Sequence, residues 1–261
     1  MPKMTASDGC SIYYHFEGEE GRPVVMLSNS LGSRLEMWEP QIAALTERYR
    51  VLLYDNRGHG RSDVPPPPYT LERIATDARE LIEDLEVGPV LWCGLSLGGM
   101  VGMWLAANAP HLFKSAVFAN TSPLLGPPDI WNERVKIIQT QGMEALAKIG
   151  VQRWLTPAFA AAHPDVQARL ARMIAETPSR GYIGAALAIR DMDLRDCLAR
   201  IALPVLVIAG SHDPSTPYTM GEQIAGGIAG ARLAILETAH LSNVEQPEEF
   251  NRLVRDFFDA A

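Results

Sequence analysis

Three features of the sequence predict an α/β fold: a mostly parallel central sheet flanked by helices, with an inserted block of helices. Short apolar runs of strand length alternate with segments of helical period along most of the 261 residues. One such run passes through the turn Gly94-Leu95-Ser96-Leu97-Gly98 directly into a helical pattern. Between about residues 124 and 190 the alternation gives way to helical periods alone.

The chain is long enough for one large domain or two small ones. One core domain formed by residues 1–123 and 191–261, with residues 124–190 as a helical lid, fits better, because no flexible linker flanks the insertion. Charged residues make up 21% and hydrophobic residues 47%, an ordinary balance for a globular protein. The net charge of −8 disfavours nucleic acid and anionic membrane surfaces as partners, and an anionic substrate would need a local cation. With no charged-then-apolar leader and no apolar run of membrane-spanning length, a cytoplasmic location is expected. Cys10, Cys93 and Cys197 are too few and too scattered for a disulfide framework or a zinc knuckle, and Gly94-x-x-x-Gly98-Gly99 lacks the spacing and the following acid of a dinucleotide-binding turn, so no metal or cofactor is expected.

Taken in order, residues 11–16 alternate loosely and residues 23–28 form an apolar strand, which predicts a hairpin at one sheet edge. The polar loop from Asn29 to Ser33 follows, at the carboxyl end of that strand, where loops of an open α/β sheet line the crevice. Residues 38–48 have a helical period, and residues 51–54 are a strand leading into Asp55-Asn56-Arg57-Gly58-His59-Gly60. The run Pro65 to Pro68 demands an extended loop. Thr70 caps an amphipathic helix whose apolar face is Leu71, Ile74, Ala78, Leu81 and Leu85. Residues 89–93 are the strand before Ser96, and Met100, Val101, Trp104 and Leu105 continue as a helix until Pro110. Residues 115–120 are the next strand. The insertion carries helical periods over 130–138, 142–155, 163–176 and 182–189. Residues 204–209 and 231–236 are the last two strands, followed by the loops holding Asp213 and His240, and residues 247–258 close as an amphipathic helix.

The chemistry centres on Ser96. Glycines two positions either side of a serine on a strand-to-helix turn fit a nucleophile elbow, where the serine backbone is strained and its hydroxyl stands clear of the sheet. A serine needs a base to take its proton and a carboxylate to orient that base. His240 and Asp213 lie after the last two strands, giving the chain order Ser, Asp, His. His15, His111 and His163 read as surface or packing residues, His212 neighbours Asp213 in a loop where adjacent side chains point apart, and His59 reads as part of a turn held by Arg57 and Asp55. The Leu97 amide, at the positive end of the helix dipole, and the Leu31 amide, with Ser30 as second choice, are the oxyanion donors expected. For a substrate anion the insertion offers Arg134 and Arg153, and Trp131 and Trp154 as an apolar wall.

These motifs resemble the α/β-hydrolase superfamily over the whole chain. Within it, Ser28-Asn29-Ser30-Leu31-Gly32, Arg57-Gly58-His59-Gly60, Gly94 to Gly99, Trp131-Asn132-Glu133-Arg134, Arg190-Asp191-Met192-Asp193 and Ala239 to Glu245 resemble the 3-oxoadipate enol-lactonases of aromatic catabolism. Asn29-Ser30 stands where most of the superfamily carries His-Gly. The resemblance implies an α/β-hydrolase fold and a small anionic lactone as substrate: a five-membered enol-lactone bearing an acetate side chain, opened to 3-oxoadipate. It also implies that Ser96, Asp213 and His240 form the triad, with no cofactor. Two other classes stay open at this point: a general carboxylesterase or cofactor-free perhydrolase, which a dry pocket would favour, and a catalytically silent binding protein.

Overall fold

The computed structural model describes residues 2–260. Eight strands form one sheet: β1 (Lys3–Thr5), β2 (Ser11–Glu17), β3 (Val24–Ser28), β4 (Arg50–Tyr54), β5 (Val90–Leu95), β6 (Phe113–Ala119), β7 (Val205–Gly210) and β8 (Arg232–Leu236). Their spatial order is β1-β2-β4-β3-β5-β6-β7-β8, parallel from β4 to β8 and antiparallel at the β1 and β2 end. β3, β5 and β7 are buried at every residue, which is why they are continuous apolar runs rather than alternating ones.

Eleven α-helices are described: α1 (Glu39–Thr46), α2 (Leu71–Asp84), α3 (Leu97–Asn108), α4 (Pro128–Trp154), α5 (Pro157–Ala162), α6 (Pro164–Ala175), α7 (Ser179–Asp191), α8 (Arg195–Leu198), α9 (Tyr218–Gly227), α10 (Ser242–Glu245) and α11 (Pro247–Asp259). Thr70 caps α2, its hydroxyl accepting the Arg73 amide at 3.1 Å. α3 is apolar nearly all round because it is wedged between sheet and neighbouring helices; Leu97, Met100, Val101, Met103, Leu105 and Ala106 are all fully buried.

The first strands differ from expectation. β2 pairs not with β3 but with β4, in the register Tyr14 to Tyr54 and His15 to Leu53, and its hairpin partner is the short β1. A turn between two apolar runs signals a reversal of the chain, but hydrogen bonding with β4 and β5 on both flanks leaves β3 no free edge.

Between β6 and β7 the chain runs through α4, α5, α6, α7 and α8. α4 is interrupted at Gly142, whose φ of 80° and ψ of 177° break the hydrogen-bond ladder, so two helices meet there. Trp131, Leu146, Val151, Trp154, Leu170 and Ile174 are buried and join the apolar core of the sheet domain.

Candidate active site

Ser96 sits between β5 and α3 with φ of 58° and ψ of −113°, a conformation costing a non-glycine residue about 1–3 kcal/mol. The surroundings hold it there: the Ser96 amide donates to the Ala119 carbonyl at 2.9 Å, and the Thr121 hydroxyl donates to the Ser96 carbonyl at 2.7 Å. The flanking glycines are required by contact. A Cβ on Gly94 would lie 2.1 Å from the Gly98 oxygen, and one on Gly98 only 2.0 Å from the Ser28 oxygen of β3. Only hydrogen side chains let the start of α3 pack this close to both strands.

Asp213 and His240 come from the loops after β7 and β8. His240 Nδ1 and Asp213 Oδ2 are 2.8 Å apart, and both residues are buried. Asp213 Oδ2 also accepts from the Thr216 hydroxyl at 2.6 Å and the Asn120 amide at 3.2 Å, while Oδ1 accepts the Ser215 and Thr216 amides at 2.8 and 3.0 Å. Burial would raise this carboxyl, but the charge and hydrogen bond of His240, joined by the Thr216 donors, outweigh it and hold Asp213 below the usual aspartate value. The acid is therefore ionised. With its Nδ1 proton directed at Asp213, the imidazole presents Nε2 as the basic atom.

Thr216, Asn120 and Glu245 were not read from the sequence. The Asp213 carboxylate takes the Ser215 amide two residues on, as in an Asx turn, and that local signal could have flagged the adjoining Thr216. Asn120 has no such signal, because it acts between loops distant in sequence, and Glu245 closes the Ala239 to Glu245 motif but reaches Thr156 from 89 residues away. Asn120 also donates to the Ala239 carbonyl at 3.1 Å and accepts the Ser242 hydroxyl, tying the His240 loop to the end of β6. Glu245 accepts the Ala239 amide at 2.6 Å with one oxygen and the Thr156 hydroxyl, also at 2.6 Å, with the other.

Ser96 and His240 open on one cavity of about 260 Å³. Ser30, Leu31, Trp131, Arg134, Arg153 and Trp154 line it too, so the structure brings to one place every substrate-contact residue expected from the sequence. Among the described residues, His240 is the one histidine of six that lines it; His15 and His212 instead pair with Glu17 and Glu237 at the surface. The Leu97 amide is the first of α3 and lacks a helical acceptor by position. The Leu31 amide has no partner among the described residues, whereas Ser30 donates its amide to the Met37 sulfur at 3.4 Å. Leu31 is thus the better donor of the two.

The walls come mostly from the insertion. Arg134 stacks on the Trp131 ring, 4.6 Å from its centroid. Arg153 is held by the Ser215 hydroxyl at 3.2 Å and the Pro214 carbonyl. Among the described residues neither guanidinium has a carboxylate partner within salt-bridge distance. Burial, then the charge of Arg134, weaken the hold of Arg153 on its proton, with Asp213 opposing. No cluster of His, Cys, Asp and Glu that could hold a metal ion occurs among the described residues.

Residues 23–247 match the α/β-hydrolase fold family. The chain belongs to the α/β-hydrolase family. It is 38% identical to 3-oxoadipate enol-lactonase 2 of Acinetobacter baylyi over 96% of this chain and 94% of that one. Against 3-oxoadipate enol-lactonase 1 of the same organism the identity is 35%, over 97% and 95% of the two chains. The crystal structure of the enol-lactonase from Burkholderia xenovorans LB400 superposes with a TM-score of 0.97 at 38% identity, covering 99% of this chain and 100% of that one. The resemblance to enol-lactonases seen in short motifs thus extends over the whole chain, and the match places this hydrolase in a family that includes enzymes named for lactone opening. No described helix is long and apolar enough to cross a membrane.

Proposed function

We propose that this protein is a serine hydrolase that opens 3-oxoadipate enol-lactone to 3-oxoadipate in the catabolism of aromatic compounds. The observation that carries this reading is a pair of arginines, Arg134 and Arg153, facing the same cavity as Ser96 and His240 with no carboxylate within salt-bridge distance among the described residues, in a chain of net charge −8. Two half-buried like charges facing one cavity repel, and a substrate carboxylate between them offsets that cost. A cavity of about 260 Å³ suits a small ring acid.

In this mechanism the Ser96 hydroxyl attacks the lactone carbonyl while His240 Nε2 takes its proton. Asp213, ionised and fixed by four donors besides the imidazole, keeps His240 in the required tautomer and balances the imidazolium. The oxyanion rests on the Leu31 and Leu97 amides. The ring C–O bond then breaks and the enol oxygen leaves with the proton from His240. Because an enol is a better leaving group than an alkoxide, acylation asks less of the acid, and tautomerisation to the ketone removes the nucleophile that could close the ring again. Water, deprotonated by His240, attacks the acyl-enzyme and releases 3-oxoadipate. Residues 124–190 serve as a lid over the carboxyl edge of the sheet, with Trp131 and Trp154 as its apolar wall.

The test is a comparison of substrates. Purified protein is expected to hydrolyse the enol-lactone far faster than neutral nitrophenyl esters, and a fluorophosphonate probe to label Ser96. Equal rates on both substrates would leave a general esterase. Folded protein that takes no label would leave a binding protein.

A further inference from the structure

The motif Arg57-Gly58-His59-Gly60 plays no part in the mechanism above, and His59 does not line the cavity, yet its ring is completely buried beside the loop that carries Leu31. Its Nε2 lies 3.1 Å from the Gly32 amide nitrogen, and its Nδ1 lies 3.1 Å from the Arg57 carbonyl. A backbone amide can only donate and a carbonyl can only accept. Nε2 is therefore unprotonated, and Nδ1 carries the ring proton. Burial pushes the imidazole down to about 4, so it is neutral under ordinary conditions.

The two peptide planes flanking Leu31 are each pinned by hydrogen bonds. In the Ser30–Leu31 plane, the Ser30 carbonyl accepts the Ser33 amide at 3.2 Å and the Ser33 hydroxyl at 2.7 Å. Because the peptide is trans, its N–H points opposite to that carbonyl. In the next plane the Gly32 amide is bound by His59. Gly32 has φ of 74°, a left-handed turn that only a fully determined loop keeps in one place. His59 is itself anchored through the Arg57 backbone, and the Arg57 side chain is locked by Asp77 of α2, with contacts of 2.5 and 2.7 Å.

We propose that His59 is a positioning residue of the oxyanion site: by accepting the Gly32 amide, its neutral imidazole sets the peptide beside Leu31 and so aims the Leu31 N–H at the reacting carbonyl. The proposal rests on the reading of Leu31 as an oxyanion donor. It goes beyond that reading in giving a buried histidine, outside the lining of the cavity, an effect on the transition state rather than on substrate binding.

Two substitutions separate the ring's two bonds. His59→Gln places an amide oxygen near the Nε2 position and keeps an acceptor for Gly32, while His59→Asn keeps a polar group near Nδ1 and loses that acceptor. With the best substrate of the parent protein, His59→Asn is expected to lower kcat about 10- to 100-fold with KM changed by less than about threefold, as removal of a transition-state donor does. His59→Gln should recover kcat to within about fivefold of the parent. Folded His59→Asn with parental kcat, or folded His59→Gln as impaired as His59→Asn, overturns the proposal. Should either variant not fold, nitrogen NMR of the parent imidazole decides: a proton on Nδ1 with Nε2 as acceptor is expected, and a proton on Nε2 overturns it. A parent that takes no fluorophosphonate and hydrolyses no ester overturns the reading of the site itself. An active parent with an indifferent His59→Asn overturns only the role of His59.

Discussion

The loops at the ends of β5, β7 and β8 and the helices of residues 128–191 close on the same cavity, but on opposite terms. At the strand ends the Asp213 carboxylate accepts five hydrogen bonds from within the protein, and the carbonyl and amide of Ser96 are both bound. In the insertion, Arg134 has an aromatic ring and Arg153 a carbonyl and a hydroxyl, and among the described residues neither has a carboxylate within salt-bridge distance. Groups that must be correctly placed before reaction are satisfied in advance, and groups that meet the ligand are left with capacity. Under the function proposed above, this difference corresponds to a division of labour in which the sheet edge sets the chemistry and the insertion sets the substrate.

The largest effect expected is on the sheet side. Ser96→Ala should lower kcat for any ester by about 10⁵-fold or more, equivalent to about 7 kcal/mol, measured by steady-state hydrolysis. A smaller loss would mean that Ser96 is not the nucleophile, and the division between the two regions would collapse.

Next comes packing. Gly98→Ala forces α3 away from β3, because its Cβ meets backbone at 2.0 Å, and should cost about 3–5 kcal/mol of stability in urea unfolding. Gly150→Ala, in α4, meets only the tip of Ile174 at 3.1 Å and gains helix propensity, so its effect should stay within about 1 kcal/mol. Equal costs would show that the insertion is as tightly specified as the sheet edge.

On the insertion side, Arg153→Met should raise KM for the anionic lactone about 10- to 50-fold, or about 1.4–2.3 kcal/mol, and leave neutral nitrophenyl esters within about twofold. An equal loss on both substrates would place Arg153 with the catalytic loops, through its bonds to Pro214 and Ser215, rather than with recognition.

The smallest effect concerns pH. His59 is depressed from its ordinary 6.5 to about 4, so the unfolded chain binds this proton more readily than the folded one. The stability it contributes is complete above pH 6.5 and falls as pH drops toward 4, by about 1 kcal/mol between pH 6.5 and 5.5. Asp55, raised by burial to about 6, pulls the opposite way below that pH. The measurement is therefore the difference between parent and His59→Gln, in which the Asp55 contribution cancels. A difference that stays constant from pH 6.5 to 5.5 would show that His59 is not held neutral.

The readable parts of the molecule share one physical character. The elbow is written in consecutive residues, since a strained serine needs glycines at fixed offsets. The Thr70 cap, the amphipathic face of α2 and the separation of two helices at Gly142 are likewise local. What misled was pairing between strands: residues 11–16 and 23–28 looked like a hairpin, while β2 lies against β4. The short β1 and α5 left too little periodicity to find, at 3 and 6 residues. Asn120, at a strand end where an acid could have stood, gave no hint that its amide would bridge Asp213 and Ala239.

By itself the sequence determined the α/β class, the placing of Ser96, Asp213 and His240 at strand ends, and the helical nature of residues 124–190. Each of these depends on residue type and spacing within one element and the turn beside it. Only the tertiary structure decided that two arginines share a cavity with no salt-bridge partner among the described residues, that Thr216 and Asn120 complete the setting of Asp213, and that a buried His59 holds the amide of Gly32. These depend on where loops dock after distant strands have paired, and the free energy that selects such docking is spread over the whole core.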